Sequence, residues 1–407
     1  MEAFTVCMFA PTASGGHARY AWELTTALSR HPRGNLRYEL VSAADLDGAF
    51  RSADYRVHPI VPPIRQRSSF RTRAGWALNR LAYYPVRERA FLRWLRSRGD
   101  VAVVHLQEWK PWLAPSVIRR IRRMGKKVCY TVHNVLPHRY PRGAPKWLTD
   151  HWIRRSCRAC DGLFVHTDRL ADELAKFLRG RHPPITVVPH GVWTTDQSPP
   201  PPPLERRLES KRLLFFGAIR RNKGLDLLLR AMPHLPGYRL TIAGEPCEPD
   251  YFKNEVLPRV RALRGDGVQI ELLDRFVSEQ EVSALFSEHS AIVLPYTGQF
   301  VAQSGVVFMA LAHSLPVVAS RAGGLSDLLG EFPIGTTFDG ESPEALAAAV
   351  VELHLAAGRD ELGRQIEAAR RRFTWHAAAG ATIGGYLAAL EAVNEVNDCV
   401  LGTTPAH

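Results

Sequence analysis

The chain has 407 residues, 45% of them hydrophobic, which is about twice one ordinary domain and apolar enough for two packed cores. Its 53 lysines and arginines against 40 acidic residues give a formal net charge of +13, so an acidic partner is expected: nucleic acid, an anionic membrane surface or a phosphorylated substrate. Six cysteines do not make a disulfide framework at this length, no signal peptide is read before the first strand, and no apolar run reaches the ~18 residues that span a bilayer. The expected location is therefore the cytoplasm, with any membrane contact peripheral.

In chain order, TVCMFAP (5–11), YELVSA (38–43), VAVVHL (101–106), KVCYTVH (127–133), GLFVHT (162–167) and ITVVPH (185–190) read as strands separated by helical patterns. A second series, RLLFFG (212–217), YRLTIAG (238–244), VQIELL (268–273), AIVLPY (291–296) and LPVVAS (315–320), alternates with helical stretches from Gly224, Asp250, Ser278, Ser304 and Gly323. Short Val/Ile/Phe-rich strands alternating with helices predict α/β architecture with parallel sheets covered on both faces. Pro199 to Pro203 favour an extended polyproline segment, which places a linker there. The predicted organisation is an N-terminal Rossmann-like domain over 1–196, a Pro-rich linker over 197–210, a C-terminal domain over 211–373, and a helix over 374–407 that packs back onto the first domain. Two doubly wound domains facing a cleft would present the loops at the carboxyl ends of their strands to one site.

Ser14, Gly15 and Gly16 follow the first strand and open a helix patterned on Ala21, Leu24, Ala27 and Leu28. Paired glycines let backbone amides approach an anion, although a routine turn has the same letters and no GxGxxG is present. His133 and Asn134 end the KVCYTVHN strand, placed to bond a substrate hydroxyl or a developing charge, or simply to satisfy backbone groups. His105, His166 and His190 also fall near strand ends, but none pairs at i, i+4 or beside a carboxylate, so no metal is expected. Cys157 and Cys160 form a CxxC at the end of a helix with no second pair, which reads as packing.

In LLFFGAIRRNKGLDLLLRAM (213–232), Arg220, Arg221 and Lys223 crowd a turn between a buried strand and a helix opened by Gly224. Cations repel the positive end of a helix unless an anion arrives, and a phosphate is the natural candidate; a solvated basic turn is the alternative. Further on, a helix starting near Ser304 and Gly305 offers free amides in the matching loop. Cations and a helix start aimed at one point suit a diphosphate.

At these residues the chain resembles the family-4 glycosyltransferases of the GT-B fold. SGGHARYAWELTTAL, YTVHN, VVPHGV, FFGAIRRNKGLDLLLRA, LTIAGE, VLPY, QSGVVFMALAHSLPVVAS and GGLSDLL fall in the family's order through nearly the whole length, and the IR...KG and QSGV loops match one subgroup. The resemblance implies transfer of a hexose-type sugar from a nucleotide-diphosphate sugar with retention of configuration, with no bound metal or cofactor. It assigns Gly15 and Gly16 to the loop near donor diphosphate and acceptor, His133 to the transferred sugar, and Arg220 and Lys223 to the diphosphate in the loop after Gly217. Gln303, Ser304 and Gly305 form the loop and helix start beneath the donor. Two departures stand out: Ala218 replaces the arginine that most relatives carry after the glycine, and the simplest register puts Val301 and Met309 where most carry two glutamates, the second of which reads the ribose.

With no carboxylate pair for a double displacement, the expected mechanism is front-face substitution, in which the leaving phosphate takes the acceptor's proton. Ile64 to Arg98 interleaves arginines with Phe70, Trp76, Tyr83, Tyr84, Phe91 and Trp94, and RRIRRMGKK from Arg119 adds a second basic cluster. These suit an anionic membrane surface, such as the inner face of the plasma membrane, and a lipid-linked glycan acceptor in polysaccharide assembly. The same letters also describe solvated helices with core aromatics, which would leave a soluble small-molecule or natural-product acceptor. A nucleic-acid-binding module lacks any recognisable motif, so no nucleic acid is expected as partner, and the absent glutamates would also fit an inactive binding subunit.

Overall fold

The computed structural model describes residues 4–13, 15–32, 36–50, 52, 54–63, 72–136, 140, 145–195, 201–298, 304–355 and 359–391. Two compact units divide the chain, Met1–Gly191 with Trp375–His407, and Val192–Thr374. The first contains strands β1 (Phe4–Ala10), β2 (Leu36–Ala43), β3 (Arg56–Val61), β4 (Val101–Leu106), β5 (Lys127–Thr131), β6 (Gly162–Val165) and β7 (Ile185–Val187). They form one parallel sheet in the order β3-β2-β1-β4-β5-β6-β7. The second unit carries β8 (Arg212–Phe216), β9 (Arg239–Ala243), β10 (Gln269–Leu273), β11 (Ala291–Leu294), β12 (Val317–Ser320) and β13 (Gly335–Phe338), all parallel, in the order β10-β9-β8-β11-β12-β13. In both sheets the order reverses beside the first strand, between β1 and β4 and between β8 and β11, and the crevice at such a switch point is where doubly wound sheets bind ligands.

The central strands are covered on both faces, so they read as unbroken apolar runs: every described residue of β6, β11 and β12 is buried. The helices show the complementary stripe. Helix Asp168–Leu178 buries Leu170, Leu174 and Leu178, one face at i, i+4 and i+8, and Thr167 caps its start by accepting from Leu170 N at 3.1 Å. Helix Glu279–Glu288 opens with a capping box between Ser278 and Glu281.

Helix Trp375–Glu391 belongs to the first unit, where it packs on helix Gly15–Arg30 and on β6 and β7. Gly385 makes that contact possible, because a Cβ there would stand 2.3 Å from the Phe164 ring. Tyr386 follows, its hydroxyl 2.6 Å from Nδ1 of His105. Residues 204–209, inside the stretch read as linker, form a helix whose Arg207 is 3% exposed. Its guanidinium donates to the carbonyls of Phe286 (2.8 Å), His289 (3.1 Å), His313 (2.9 Å) and Ser314 (3.2 Å), at the ends of helices Glu279–Glu288 and Gly305–Ala312. Burial lowers its pKa to about 10, still protonated at neutral pH.

Helix Arg73–Arg96 turns its described aromatics inward: Tyr83, Tyr84 and Phe91 are buried. Those rings serve the core rather than a surface, while Phe70 and the side chain of Trp76 lie outside the described residues. Among the described residues no helix is long and apolar enough to cross a membrane.

Candidate active site

In the C-terminal domain the loop after β8 closes through Arg221–Lys223, one 3-10 turn, into Gly224 at φ 67°, ψ 26°. A Cβ at position 224 would sit 1.8 Å from the carbonyl oxygen of Pro295, so glycine is required twice over, by its left-handed backbone and by the close approach of the chain beyond β11. Ile219 N donates to Glu245 O at 2.9 Å and Thr297 N to Asn222 O at 3.2 Å, so both flanking strands pin the loop. Gly224→Ala is expected to lower the unfolding free energy by about 4 kcal/mol or more, read from urea denaturation of the purified variant.

The three cations of this turn part company. Arg221 pairs with Glu255 and lays its guanidinium 4.7 Å from the Tyr251 ring centroid, so this side chain is neutralised away from the turn. Lys223 folds inward, its Nζ 3.8 Å from the centroid of Tyr296. Burial, and then the charge of Arg220, lower its pKa to about 7, the response of an ammonium kept from water beside another cation. Arg220 itself is half-buried at the head of the turn.

Tyr296 links this cation to the next loop, because its hydroxyl lies 2.9 Å from Oγ of Ser304. Ser304 is 2% exposed, has extended backbone, and does not turn its hydroxyl onto the amides of the helix it precedes, Gly305–Ala312. Trp193 Nε1 donates to Gly305 O at 2.8 Å and holds that first turn in place. Gly217, at φ 107°, backs onto it: a Cβ there would come 3.7 Å from Cγ2 of Val306. Gly217, Lys223, Ser304 and Gly305 thus gather around one helix start, with Arg220 charging the same corner. Two neutral polar atoms join them that the sequence does not single out, Oδ1 of Asn222 and Oγ1 of Thr297, both buried with no hydrogen-bond partner among the described residues. Gln303 and Val301 lie outside the described residues. Met309 is half-buried on the same helix, whose eight residues GVVFMALA include no carboxylate.

The N-terminal domain carries a string of histidines at its strand ends. His166 Nδ1 donates to Val188 O at 3.1 Å, so the Nε2 of a neutral ring accepts from His133 Nδ1 at 2.9 Å. His133 Nε2 then lacks a hydrogen and lies 3.2 Å from Gln107 Oε1, so a neutral ring is satisfied with that amide turned over to present its NH2. Burial, followed by the charges of His17 and His166, holds His133 well below the usual histidine range; burial takes His166 to about 4, and His105 and His190 to about 3. Tyr20 packs edge-on against His133, His166 and Trp375, with ring centroids 5.1 to 5.4 Å apart. At neutral pH His133 is a fixed dipole rather than a proton carrier. Gly15 and Gly16 stand exposed at the start of the helix that delivers His17 edge-on to His133, at 4.7 Å between centroids. Among the described residues no three potential metal ligands converge.

His133 also lines a cavity of about 310 Å³, with Leu106, Gln107, Trp109, Tyr130 and Asn134. A mostly apolar wall with a few convergent polar groups beyond β4 and β5 suits an organic molecule carrying hydroxyls.

These features fit a class of two-domain α/β proteins with a cation beside a helix start in one doubly wound domain and a largely apolar cavity in the other. Residues 14–196 match the family model Glycosyltransferase Family 4, and residues 210–355 match Glycosyl transferases group 1. The chain belongs to the family-4-type glycosyltransferases of the GT-B fold. It is similar to a D-inositol 3-phosphate glycosyltransferase of Mycobacterium marinum, 29% identical over 47% of this chain and 41% of that protein. It is likewise similar to one from Xylanimonas cellulosilytica, 28% identical over 72% of this chain and 73% of that one. The chain thus spans less than half the length of the first relative and about three quarters of the second. Sucrose-phosphate synthase from Thermosynechococcus elongatus shares the fold, with a TM-score of 0.73 at 18% identity over 96% of this chain and 100% of that one.

Proposed function

We propose that the protein is a retaining, metal-independent glycosyltransferase that moves a hexose-type sugar from a nucleotide-diphosphate sugar to a hydroxyl acceptor. The observation that carries this reading is the inward-turned Lys223, stacked on Tyr296 and joined through it to Ser304 at the start of helix Gly305–Ala312. Lys223 is buried beside Arg220 with its pKa lowered to about 7, and a diphosphate bound there would favour its charged form while the helix amides bond the phosphate oxygens. Arg220 and Lys223 then stabilise the charge that grows on the diphosphate as the sugar leaves. A neutral His133 does not compete for the acceptor's proton, which goes to the departing phosphate oxygen in front-face substitution. Gly15 and Gly16 would bring exposed amides to the reacting groups, and Gln303 would complete the loop before Ser304.

The acceptor is read as a lipid-linked glycan intermediate in polysaccharide assembly, with the protein peripheral to the cytoplasmic face of the membrane. Trp147, 68% exposed on helix Lys146–Ala159, and the basic groove of Arg154, Arg155, Arg158 and Arg179 support that placement. Salt-dependent binding to anionic liposomes checks it; a soluble acceptor is favoured when transfer persists without such binding. The relatives, named for inositol 3-phosphate, favour an acceptor that itself bears phosphate.

Thermal-shift measurements with UDP, GDP, ADP and dTDP and their sugars test the donor assignment. One nucleotide at about 100 times its Kd is expected to add ~2.7 kcal/mol to the apparent stability, and a flat response to all of them contradicts the reading.

A further inference from the structure

Arg87, on helix Arg73–Arg96, lies inside the N-terminal domain and is 2% exposed. Its Cζ stands 5.1 Å from the ring centroid of Trp109, 5.2 Å from that of Tyr84 and 6.0 Å from that of Phe9. Three π faces surround the cation, yet its Nε and Nη2 have no hydrogen-bond partner among the described residues. The indole Nε1 of Trp109, a residue 5% exposed, is likewise without one. A guanidinium stays charged in a protein, and burying two of its nitrogens without acceptors is costly. The neighbouring carboxyl does not repair the deficit, because Glu88 is buried, its own Oε1 has no partner among the described residues, and burial raises its pKa to about 7.

This donor cluster adjoins the cavity beyond β4 and β5. Trp109 belongs to both, and Lys110, which also lines the cavity, holds its Nζ 5.2 Å from the Tyr84 ring centroid. Lys110 is paired only loosely, at 3.7 Å, with Glu108. Arg87 Nε and Nη2 and the Trp109 indole N–H are buried donors without acceptors among the described residues, set behind the cavity wall that Trp109 forms and beside a second cation whose partner can be displaced. A phosphate has the oxygens to satisfy them, since guanidinium binds phosphate through two parallel hydrogen bonds.

We propose that Arg87, Trp109 and Lys110 bind a phosphate or diphosphate group carried by the acceptor, whose organic part fills the cavity. This rests on reading the N-terminal domain as the acceptor side, and it makes Arg87 a determinant of acceptor class.

Isothermal titration with inorganic pyrophosphate tests it and separates it from the donor assignment. The parent protein is expected to bind about two equivalents, Lys223→Ala to retain the Arg87-dependent one, and Arg87→Gln to retain the Lys223-dependent one. In the Lys223→Ala background, Trp109→Phe keeps the ring, removes the N–H and is expected to weaken the remaining binding roughly 5- to 10-fold. If Arg87→Gln does not fold, Trp109→Phe decides alone. Pyrophosphate binding unchanged by the Arg87 and Trp109 substitutions, or absent from Lys223→Ala, overturns the proposal. Displacement of pyrophosphate from Lys223→Ala by glucose 1-phosphate identifies a soluble phosphorylated acceptor. Displacement by phosphatidylcholine vesicles carrying a prenyl diphosphate, but not by plain vesicles, identifies a lipid-linked one, and displacement by neither overturns the acceptor assignment.

Discussion

Lys223→Ala is expected to lower kcat/KM for sugar transfer by about 100-fold or more, measured with the nucleotide sugar picked out by thermal shift. The ammonium is buried against Tyr296 and beside Arg220, where an electrostatic contact to a leaving diphosphate is little screened by water. The loss should not be one of folding. The folded pKa of about 7 lies below the 10.5 of an ordinary lysine, so between those values the unfolded chain binds the extra proton. This ionisation therefore opposes folding, fully below pH 7 and not at all above about 10.5, and its removal relieves the folded state. A variant that is as stable as the parent and nearly inactive is the expected pair of results. Turnover within a factor of two of the parent's refutes the assignment of Lys223 to the diphosphate.

Arg207→Ala is expected to destabilise the C-terminal domain by about 3–5 kcal/mol, read as the fall in its urea midpoint. One planar fork satisfies carbonyls at the ends of two helices, and truncation leaves them buried and unpaired. Arg207→Lys should recover little, because an ammonium cannot span acceptors spread across Phe286, His289, His313 and Ser314. The far end of one of those helices is the Ser304–Gly305 start, so nucleotide affinity should fall as well, although Arg207 lies at the opposite end of that helix. A midpoint unchanged in Arg207→Ala contradicts this role.

Much of the fold is legible in the sequence because both sheets are parallel and doubly covered, which writes their inner strands as unbroken apolar runs. The strands that escape such a reading lie at sheet edges. β3, RVHPIV, mixes Arg56 and His58 with Pro59, which an edge tolerates; β13, GTTF, buries only Phe338. Residues 204–209 read as linker because prolines precede them, whereas their helix is fixed by Arg207 reaching carbonyls about 80 to 107 positions away.

The cationic loop after β8 is legible for a local reason: strand, glycine, cations and helix start follow one another within a dozen residues. What local reading cannot supply is direction. Arg221 and Lys223 are two residues apart, yet one pairs with Glu255 in the helical segment Phe252–Val256 and the other turns onto Tyr296 in the loop after β11, a choice made by residues distant in the chain. The histidines near strand ends are visible as letters, but the burial that keeps His133 neutral and its bond to His166 depend on β5, β6 and the chain beyond β7 coming together. Arg87 is one arginine among many in a basic helix, and only its burial among three aromatic rings sets it apart.

Proton uptake on nucleotide binding tests the central claim most directly. Calorimetric titration of the preferred nucleoside diphosphate at pH 8, in buffers of different ionisation enthalpy, is expected to show close to one proton taken up by the parent and none by Lys223→Met. A lysine of pKa about 7 is mostly neutral at that pH and must be protonated to meet the diphosphate. Affinity should accordingly hold steady below pH 7 and weaken by up to about tenfold per pH unit above it. Equal affinity and equal proton uptake in the two proteins would show that the diphosphate, if it binds, binds elsewhere.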